Sequence, residues 1–173
     1  MLGLTKSAEK KVQKLLDMAE KAKRKGNLGD AIEKFEMAST FRPDDPRIFL
    51  KLADLWVKRG IKTEAIAYYR KAAIIYSKDS YYFQAVAVYK QALGLDEERT
   101  DIREEMAGLY EKLGLESDAG RERDFISLSK RVTALETITT NVFAAQNGDA
   151  KAKEFLKLAR NLLSPKSRQK KDA

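Results

Sequence analysis

Apolar residues recur along this chain at intervals of three and four, which is the spacing that places them on one side of a helix. Glycines stand where apolar runs end, as at Gly26 and Gly60. Pro46 suits the first position of a helix, and Asp45 before it suits the N-cap. The pattern therefore predicts helices over residues 6–25, 28–41, 46–59, 63–77, 80–94 and 100–113.

One short pattern recurs inside these helices: an alanine, an aromatic residue four positions later, and a small residue three positions after that. A less complete copy of this pattern, the weak echo, begins at Ala119. Small residues let antiparallel helices approach, and the aromatic residues fill the space between them, so these positions are expected to be core. The three instances are Ala31, Phe35, Ala38; Ala65, Tyr69, Ala72; and Ala85, Tyr89, Ala92.

The intervals between the repeat alanines are uneven. Ala31 to Ala65 and Ala85 to Ala119 each span 34 residues, the length of a helix-turn-helix repeat, whereas Ala65 to Ala85 spans only 20. One helix is missing from that middle interval. We therefore expect the helix at about 63–77 to close one repeat, open the next, and pack against both of its neighbours.

This pattern resembles the tetratricopeptide repeat (TPR) family. The second repeat matches the family positions nearly completely, and the first lacks only one aromatic, since Ala22 stands there. The resemblance implies an all-α, right-handed superhelical stack of TPR-type helical hairpins with a helical C-terminal cap. The matching residues are Phe49, Leu52, Ala53, Trp56, Ala65, Tyr69 and Ala72 in the second repeat and Leu15, Met18, Ala19, Ala31, Phe35, Ala38 and Pro43 in the first.

The chain divides on this basis into three parts: a repeat array over 1–116, capping helices over 117–163, and a flexible basic tail over 164–173. Apolar residues from Phe125 to Phe143 predict one long amphipathic helix, with an interruption expected near the β-branched residues Thr137 to Thr140. Asp149 is expected to cap a last helix. Within the array, the repeats are placed at about 12–45, 46–77, 63–99 (sharing a helix) and 100–116 (partial).

The C-terminal helices have two possible roles. They either close the apolar end of the array, as terminal repeats of solenoids require, or they form a surface that holds a partner or a second copy of the chain. A homodimer through the helix from Phe125 to Phe143 is the specific form of the second possibility.

The TPR resemblance also implies a concave groove, lined by the first helix of each hairpin, that binds a peptide or helix of a partner protein. Its apolar centre and basic flanks suit an amphipathic helix with acidic flanks. The alternative is that Leu50 and Ile74 pack against neighbouring helices and the charges are solvated. Residues expected to line the groove are Leu16, Glu20, Arg24, Leu50, Asp54, Val57, Arg70, Ile74, Lys78 and Glu104.

Some TPR proteins bind a C-terminal carboxylate with Lys and Asn at the positions of Leu16 and Glu20, so that activity is not expected here. Three adjacent aromatics, Tyr81, Tyr82 and Phe83, begin the fifth helix and cannot all face one core. Tyr82 fits the buried position. Tyr81 or Phe83 is therefore a candidate aromatic contact for a partner.

Composition restricts the chemistry. The chain has no Cys and no His, which excludes thiol and imidazole catalysis, disulfides and Cys/His zinc sites. Its acidic pairs come without a phosphate-binding loop or metal-ligand spacing, so we predict no catalytic residue, metal or cofactor, and no enzyme. Neither a signal peptide nor an apolar run long enough to span a membrane is apparent, and a cytoplasmic location is expected.

The formal charge of +8 belongs to the two ends of the chain. Residues 1–25 hold eight basic residues against three acidic ones, residues 166–173 hold four against one, and the remainder is neutral. The favoured function is a non-enzymatic adaptor or scaffold that binds a protein partner, in a bacterial signalling, motility or secretion complex. Two alternatives stay open: a nucleic-acid-associated protein that uses its basic termini, and a secretion-type chaperone that dimerises.

Overall fold

The computed structural model describes residues 6–163, so the predicted flexible tail at 164–173 lies outside the described residues. The described chain forms helices and turns and contains no strand, which confirms the all-α class. The helices are α1 (Lys6–Arg24), α2 (Leu28–Phe41), α3 (Pro46–Lys58), α4 (Lys62–Lys78), α5 (Tyr82–Leu93), α6 (Thr100–Lys112), α7 (Glu116–Gln146) and α8 (Ala150–Leu163).

Two compact units divide the chain, Met1–Asp124 and Phe125–Ala173. In the first unit each helix from α1 to α5 packs against the next one along the chain. Helix α4 packs extensively against both α3 and α5, as the short middle interval predicted. Ala65, Ala72 and Ala73 of α4 are fully buried, and their small side chains allow both neighbouring helices to approach closely.

The repeat alanines and aromatics form the core of the first unit. Ala31, Ala85 and Ala119 are fully buried, and Phe35 and Tyr89 are nearly so. The weak echo at Ala119 therefore marks a genuine core position at the start of α7. Close by, Arg103 on α6 forms an ion pair with Glu122 on α7 at 2.7 Å.

The four turns that precede a repeat alanine share one backbone geometry. Gly26, Gly60, Ser80 and Gly114 each adopt a positive φ and each precede a repeat alanine by five residues. The N–H after each of them bonds to the carbonyl five residues earlier, as at Tyr81 N to Tyr76 O at 2.8 Å. This is the Schellman motif, which ends a helix through a left-handed residue that is usually glycine. Ser80 is the exception, with φ at 64°.

The turn between α2 and α3 follows the prediction from sequence. Asp45 is the N-cap of α3 and Pro46 is its first residue. The side chain of Asp45 accepts a hydrogen bond from the backbone N–H of Arg47 at 3.1 Å. The cap satisfies one of the donors that a helix start leaves unpaired.

Helix α7 runs unbroken through residues 137–140, so the predicted interruption is wrong. The hydroxyls of Thr137, Thr139 and Thr140 donate to carbonyls four residues earlier, at 2.8 to 2.9 Å. Such bonds satisfy threonine hydroxyls within a helix, which the low helix propensity of β-branched residues does not reveal. The predicted cap at Asp149 is confirmed, since it accepts from Lys151 N at 2.8 Å.

Candidate partner-binding surfaces

Five of the residues predicted to line the groove lie in two cavities. Leu16 and Glu20 line a cavity of about 240 Å³ between α1 and α3, the α1–α3 cavity. Ile74, Lys78 and Glu104 line an open cavity of about 530 Å³ bordered by α4, α5 and α6, which we call the α4–α6 cavity. Residues of α4 line the second cavity because α4, the helix shared by two repeats, is the opening helix of the second of them.

Four charged groups of the α1–α3 cavity form two pairs. Lys51 Nζ lies 2.5 Å from Glu20 Oε1, and this hydrogen bond holds the pKa of Glu20 below its ordinary value despite partial burial. Arg47 donates two hydrogen bonds of 2.9 Å to the carboxylate of Asp45. Burial raises the pKa of Asp45, but the bonds from Arg47 outweigh it and leave the pKa lowered.

The other predicted groove residues have separate environments. Asp54 accepts a hydrogen bond of 2.8 Å from the hydroxyl of Tyr69, a core residue of α4. Leu50 is half-buried and packs against the core, as the alternative interpretation expected. Arg24 and Val57 are exposed. Their role in binding stays a prediction.

The α4–α6 cavity combines apolar, aromatic and basic side chains. Ile74 is 36% exposed, although it lies on a helix that packs on two sides. Lys112 Nζ lies 5.4 Å from the ring centroid of Tyr82, a distance at which a cation and a ring attract. The lining consists of Ile74, Ser77 and Lys78 from α4, Tyr82 and Tyr89 from α5, and Glu104, Glu105, Gly108, Leu109 and Lys112 from α6.

A hydrogen-bonded network fixes the wall of this cavity. Arg70 Nε donates to Glu105 Oε1 at 2.9 Å and to Oε2 at 3.1 Å, and the hydroxyl of Tyr89 donates to Oε2 at 2.7 Å. Burial, and then the hydrogen bond to Glu105, raise the pKa of Tyr89. The positive charge of Arg70 balances the negative charge of Glu105. The other charged residues of the lining are two lysines, Lys78 and Lys112, and one glutamate, Glu104, so the cavity is basic on balance.

The family positions in the sequence select Glu104 as a cavity residue and miss Glu105, Tyr82 and Tyr89. The family positions assign Glu104 to the groove, but its neighbour Glu105 makes the contact with Arg70. A signal was present in the spacing, since Arg70 and Glu105 are 35 residues apart, close to one repeat.

A third cavity, of about 820 Å³, lies where the α2–α3 turn meets the end of α4. Tyr81 lines it and packs edge-on against Tyr76, with ring centroids 6.3 Å apart. Tyr81 is 55% exposed and Phe83 is 68% exposed, while Tyr82 is half-buried. The prediction that at least one of these three aromatics is exposed is confirmed.

Residues 6–163 contain no group of acidic side chains with an arrangement that could bind a metal ion. In the same part of the chain, every helix is either too short or too polar to cross a membrane.

Repeated alanine–aromatic spacing, helical hairpins and four equivalent turns together define a TPR-like helical-repeat protein. No protein-family model matches the chain, and no curated protein matches it. Solved structures with similarity include MamA, at 16% identity and a TM-score of 0.37 over 71% of this chain and 80% of that one. MamA from Desulfovibrio magneticus RS-1 gives 13% identity and 0.38, over 70% and 76%.

A further solved structure is YrrB, described as a TPR protein with an unusual peptide-binding site. It shares 15% identity, with a TM-score of 0.35 over 91% of this chain and 93% of that one. The resemblance to the TPR family holds for the fold, on the evidence of this chain's own repeats.

Proposed function

We propose that this protein is a non-enzymatic scaffold that binds a peptide or helix of a partner protein in the α4–α6 cavity. One observation carries the proposal: the exposed Ile74 lines the same cavity as Lys78 and Lys112. An apolar side chain in a cavity supplies affinity, and surrounding charges select the ligand. The matching ligand is a segment with an apolar side chain and acidic neighbours.

The size of the cavity supports a peptide segment as the ligand. A volume of about 530 Å³ lies within the range of roughly 300–1,000 Å³ that is typical of specific binding sites. It accommodates a few side chains, as in the recognition of an amphipathic helix by its anchor residues. The network of Arg70, Glu105 and Tyr89 supports a preformed wall, which lowers the entropy lost on binding.

The α1–α3 cavity is the weaker candidate within the same proposal. Four of its charged groups already form pairs, Glu20 with Lys51 and Arg47 with Asp45. A partner has to displace these pairs or bind beside them. We therefore propose that Leu16 of α1, together with Leu50 and Val57 of α3 outside this cavity, makes secondary contacts with a longer ligand.

Site-specific photocrosslinking tests the position of the surface. A photoreactive phenylalanine analogue replaces Ser77, which lines the cavity, or Met37, an exposed residue of α2 that does not. A partner bound in the cavity crosslinks at position 77 in extract from the source cells and not at position 37. Equal crosslinking at both positions, or crosslinking at 37 alone, contradicts the proposal.

Charge reversal with the purified partner tests the chemistry. The double variant Lys78→Glu/Lys112→Glu should weaken binding about tenfold or more, because it replaces attraction for acidic side chains by repulsion. Lys62→Glu, at an exposed lysine outside the cavity, is the matched control and should bind like the unmodified chain. Tighter or unchanged binding by the double variant contradicts an acidic ligand.

A further inference from the structure

Helix α7 carries a heptad pattern over residues 125–146. Five apolar residues and Thr139 are separated alternately by three and four residues, which is the repeat of the contact seam between two coiled helices. We name these positions the heptad seam. Its residues are Phe125, Leu128, Val132, Leu135, Thr139 and Val142.

The heptad seam is open along most of its length. Leu128, Val132 and Leu135 are 57%, 45% and 63% exposed, and Val142 is 38% exposed. Isolated exposed apolar residues are ordinary, but a regular row of them on one side of a helix marks an interaction surface. The regular spacing further specifies the kind of surface, because it matches another helix that runs alongside α7.

A shallow cavity lies in the middle of this seam. Its volume is about 340 Å³, and Val132, Leu135, Glu136 and Thr139 line it together with Thr140. In a parallel coiled coil, four residues with the spacing of Val132, Leu135, Glu136 and Thr139 form the hole that receives one side chain of the facing helix. The side chain that fits such a hole comes from the position equivalent to Leu135 on the facing helix.

We propose that the facing helix is α7 of a second copy of this chain, parallel and in register. The residue types support two strands, since β-branched Val132 and Thr139 alternate with Leu128 and Leu135. Residues 125–146 make about three heptads and extend roughly 33 Å at 1.5 Å per residue. The dimer forms through the second unit of the chain and is additional to partner binding in the α4–α6 cavity.

Charge complementarity selects the orientation. Arg131 and Glu136 flank the heptad seam five residues apart. In a parallel, in-register pair of helices, residues at these two flanking positions face each other across the seam. Each Arg131 then lies opposite the second copy's Glu136, and the twofold symmetry of the dimer makes two such ion pairs.

Cysteine crosslinking tests the proposal directly, because the chain has no cysteine of its own. In Thr139→Cys the two introduced sulfurs meet at the seam, so mild oxidation should give a disulfide-linked dimer. Thr137→Cys is the matched control on another face of α7 and should stay uncrosslinked. Absence of the Thr139→Cys dimer, or equal crosslinking of both variants, overturns the parallel arrangement.

Sedimentation equilibrium tests the dimer without a crosslink. The unmodified chain should show twice the 19.6 kDa mass of one chain, and Leu135→Glu should raise the dimer dissociation constant about tenfold or more. Arg131→Glu should weaken the dimer, and adding Glu136→Arg should restore it. A monomer of unmodified chain, or a dimer indifferent to Leu135→Glu, overturns the proposal, while circular dichroism verifies that each variant folds.

The two proposals fail separately. Leu135→Glu should leave partner binding in the α4–α6 cavity intact when measured on the monomer, and Lys78→Glu/Lys112→Glu should leave the dimer intact. A dimer lost in the Lys78→Glu/Lys112→Glu variant contradicts the assignment of self-association to the heptad seam.

Discussion

Arg70 on α4 and Glu105 on α6 form a bidentate ion pair, with Arg70 Nε 2.9 Å from Glu105 Oε1 and a further hydrogen bond from the guanidinium NH2 group to the same carboxylate. The pair joins α4 to α6, and its two residues are 35 positions apart in the sequence. The hydroxyl of Tyr89 on α5 bonds to the same carboxylate. Three helices therefore meet at one carboxylate, at the wall of the α4–α6 cavity.

Removing the hydroxyl of Tyr89 should destabilise the fold. Tyr89→Phe loses a hydrogen bond to a charged acceptor, for which about 1.5–3 kcal/mol is expected. Urea unfolding followed by circular dichroism measures the change. Tyr81→Phe is the control at an exposed tyrosine, and it should leave the free energy of unfolding nearly unchanged. Equal effects of the two variants contradict the network.

Ser80→Gly should stabilise the protein. Ser80 holds a left-handed backbone conformation where the three equivalent turns have glycine. Relief of that strain, less the greater freedom of glycine in the unfolded chain, predicts a gain of about 0.5–1 kcal/mol. Thermal unfolding measures it.

The reverse substitution provides the matched test. Gly60→Ala meets no neighbouring atom within 4 Å, so any loss comes from the backbone conformation alone. It should destabilise by about 1 kcal/mol. A stabilising Gly60→Ala, or a destabilising Ser80→Gly, contradicts the equivalence of the turns.

Asp45→Ala should destabilise the start of α3 by about 1 kcal/mol, because the carboxylate caps the helix. Asp44→Ala removes a neighbouring, exposed carboxylate of the same charge. It should have a much smaller effect on the unfolding free energy in urea. If both substitutions destabilise alike, the general charge of the turn is responsible and the cap is not.

The pair of Glu20 and Lys51 predicts a pH dependence. The hydrogen bond from Lys51 lowers the pKa of Glu20 in the folded state. A carboxyl group whose pKa is lower in the folded chain than in the unfolded chain stabilises the fold at pH values above its unfolded pKa, about 4.3. This stability is lost as the pH falls through the pKa of the folded chain. Glu20→Gln should therefore be less stable than the unmodified chain near neutral pH.

Unfolding in urea at a series of pH values measures this difference. The gap between the unmodified chain and Glu20→Gln should be constant above the unfolded pKa and should shrink below it. Glu98→Gln, at an exposed glutamate, serves as the control and should stay close to the unmodified chain near neutral pH. A gap that widens on acidification contradicts the sign of the pKa shift.

Much of the fold was predictable because the repeat is visible in the spacing of alanine and aromatic residues along the sequence. The interval of 20 residues between Ala65 and Ala85 sufficed to predict that α4 packs on two sides. Asp45 and Asp149 were recognised as caps because capping depends on residue type and immediate neighbours. The continuity of α7 was not predictable from propensity, which is a weak guide at single positions, and the hydroxyl of Thr137 bonds to a carbonyl within the unbroken helix.

The candidate site was predictable only in part. Family positions identified Ile74, Lys78 and Glu104, which line one cavity. They did not identify Glu105, because its contact with Arg70 depends on how α4 and α6 lie side by side in three dimensions. Tyr89 was assigned to the core from its repeat position, and it serves both as core and as a hydrogen-bond donor at the cavity wall.

Isothermal titration of the purified partner segment into this protein tests the binding surface most directly. Ile74→Glu places a charge in the α4–α6 cavity, whereas Met37→Glu makes the same change at a residue of similar exposure on α2. We predict about tenfold or more weaker binding for Ile74→Glu and unchanged binding for Met37→Glu. Full affinity in a folded Ile74→Glu variant would contradict this prediction.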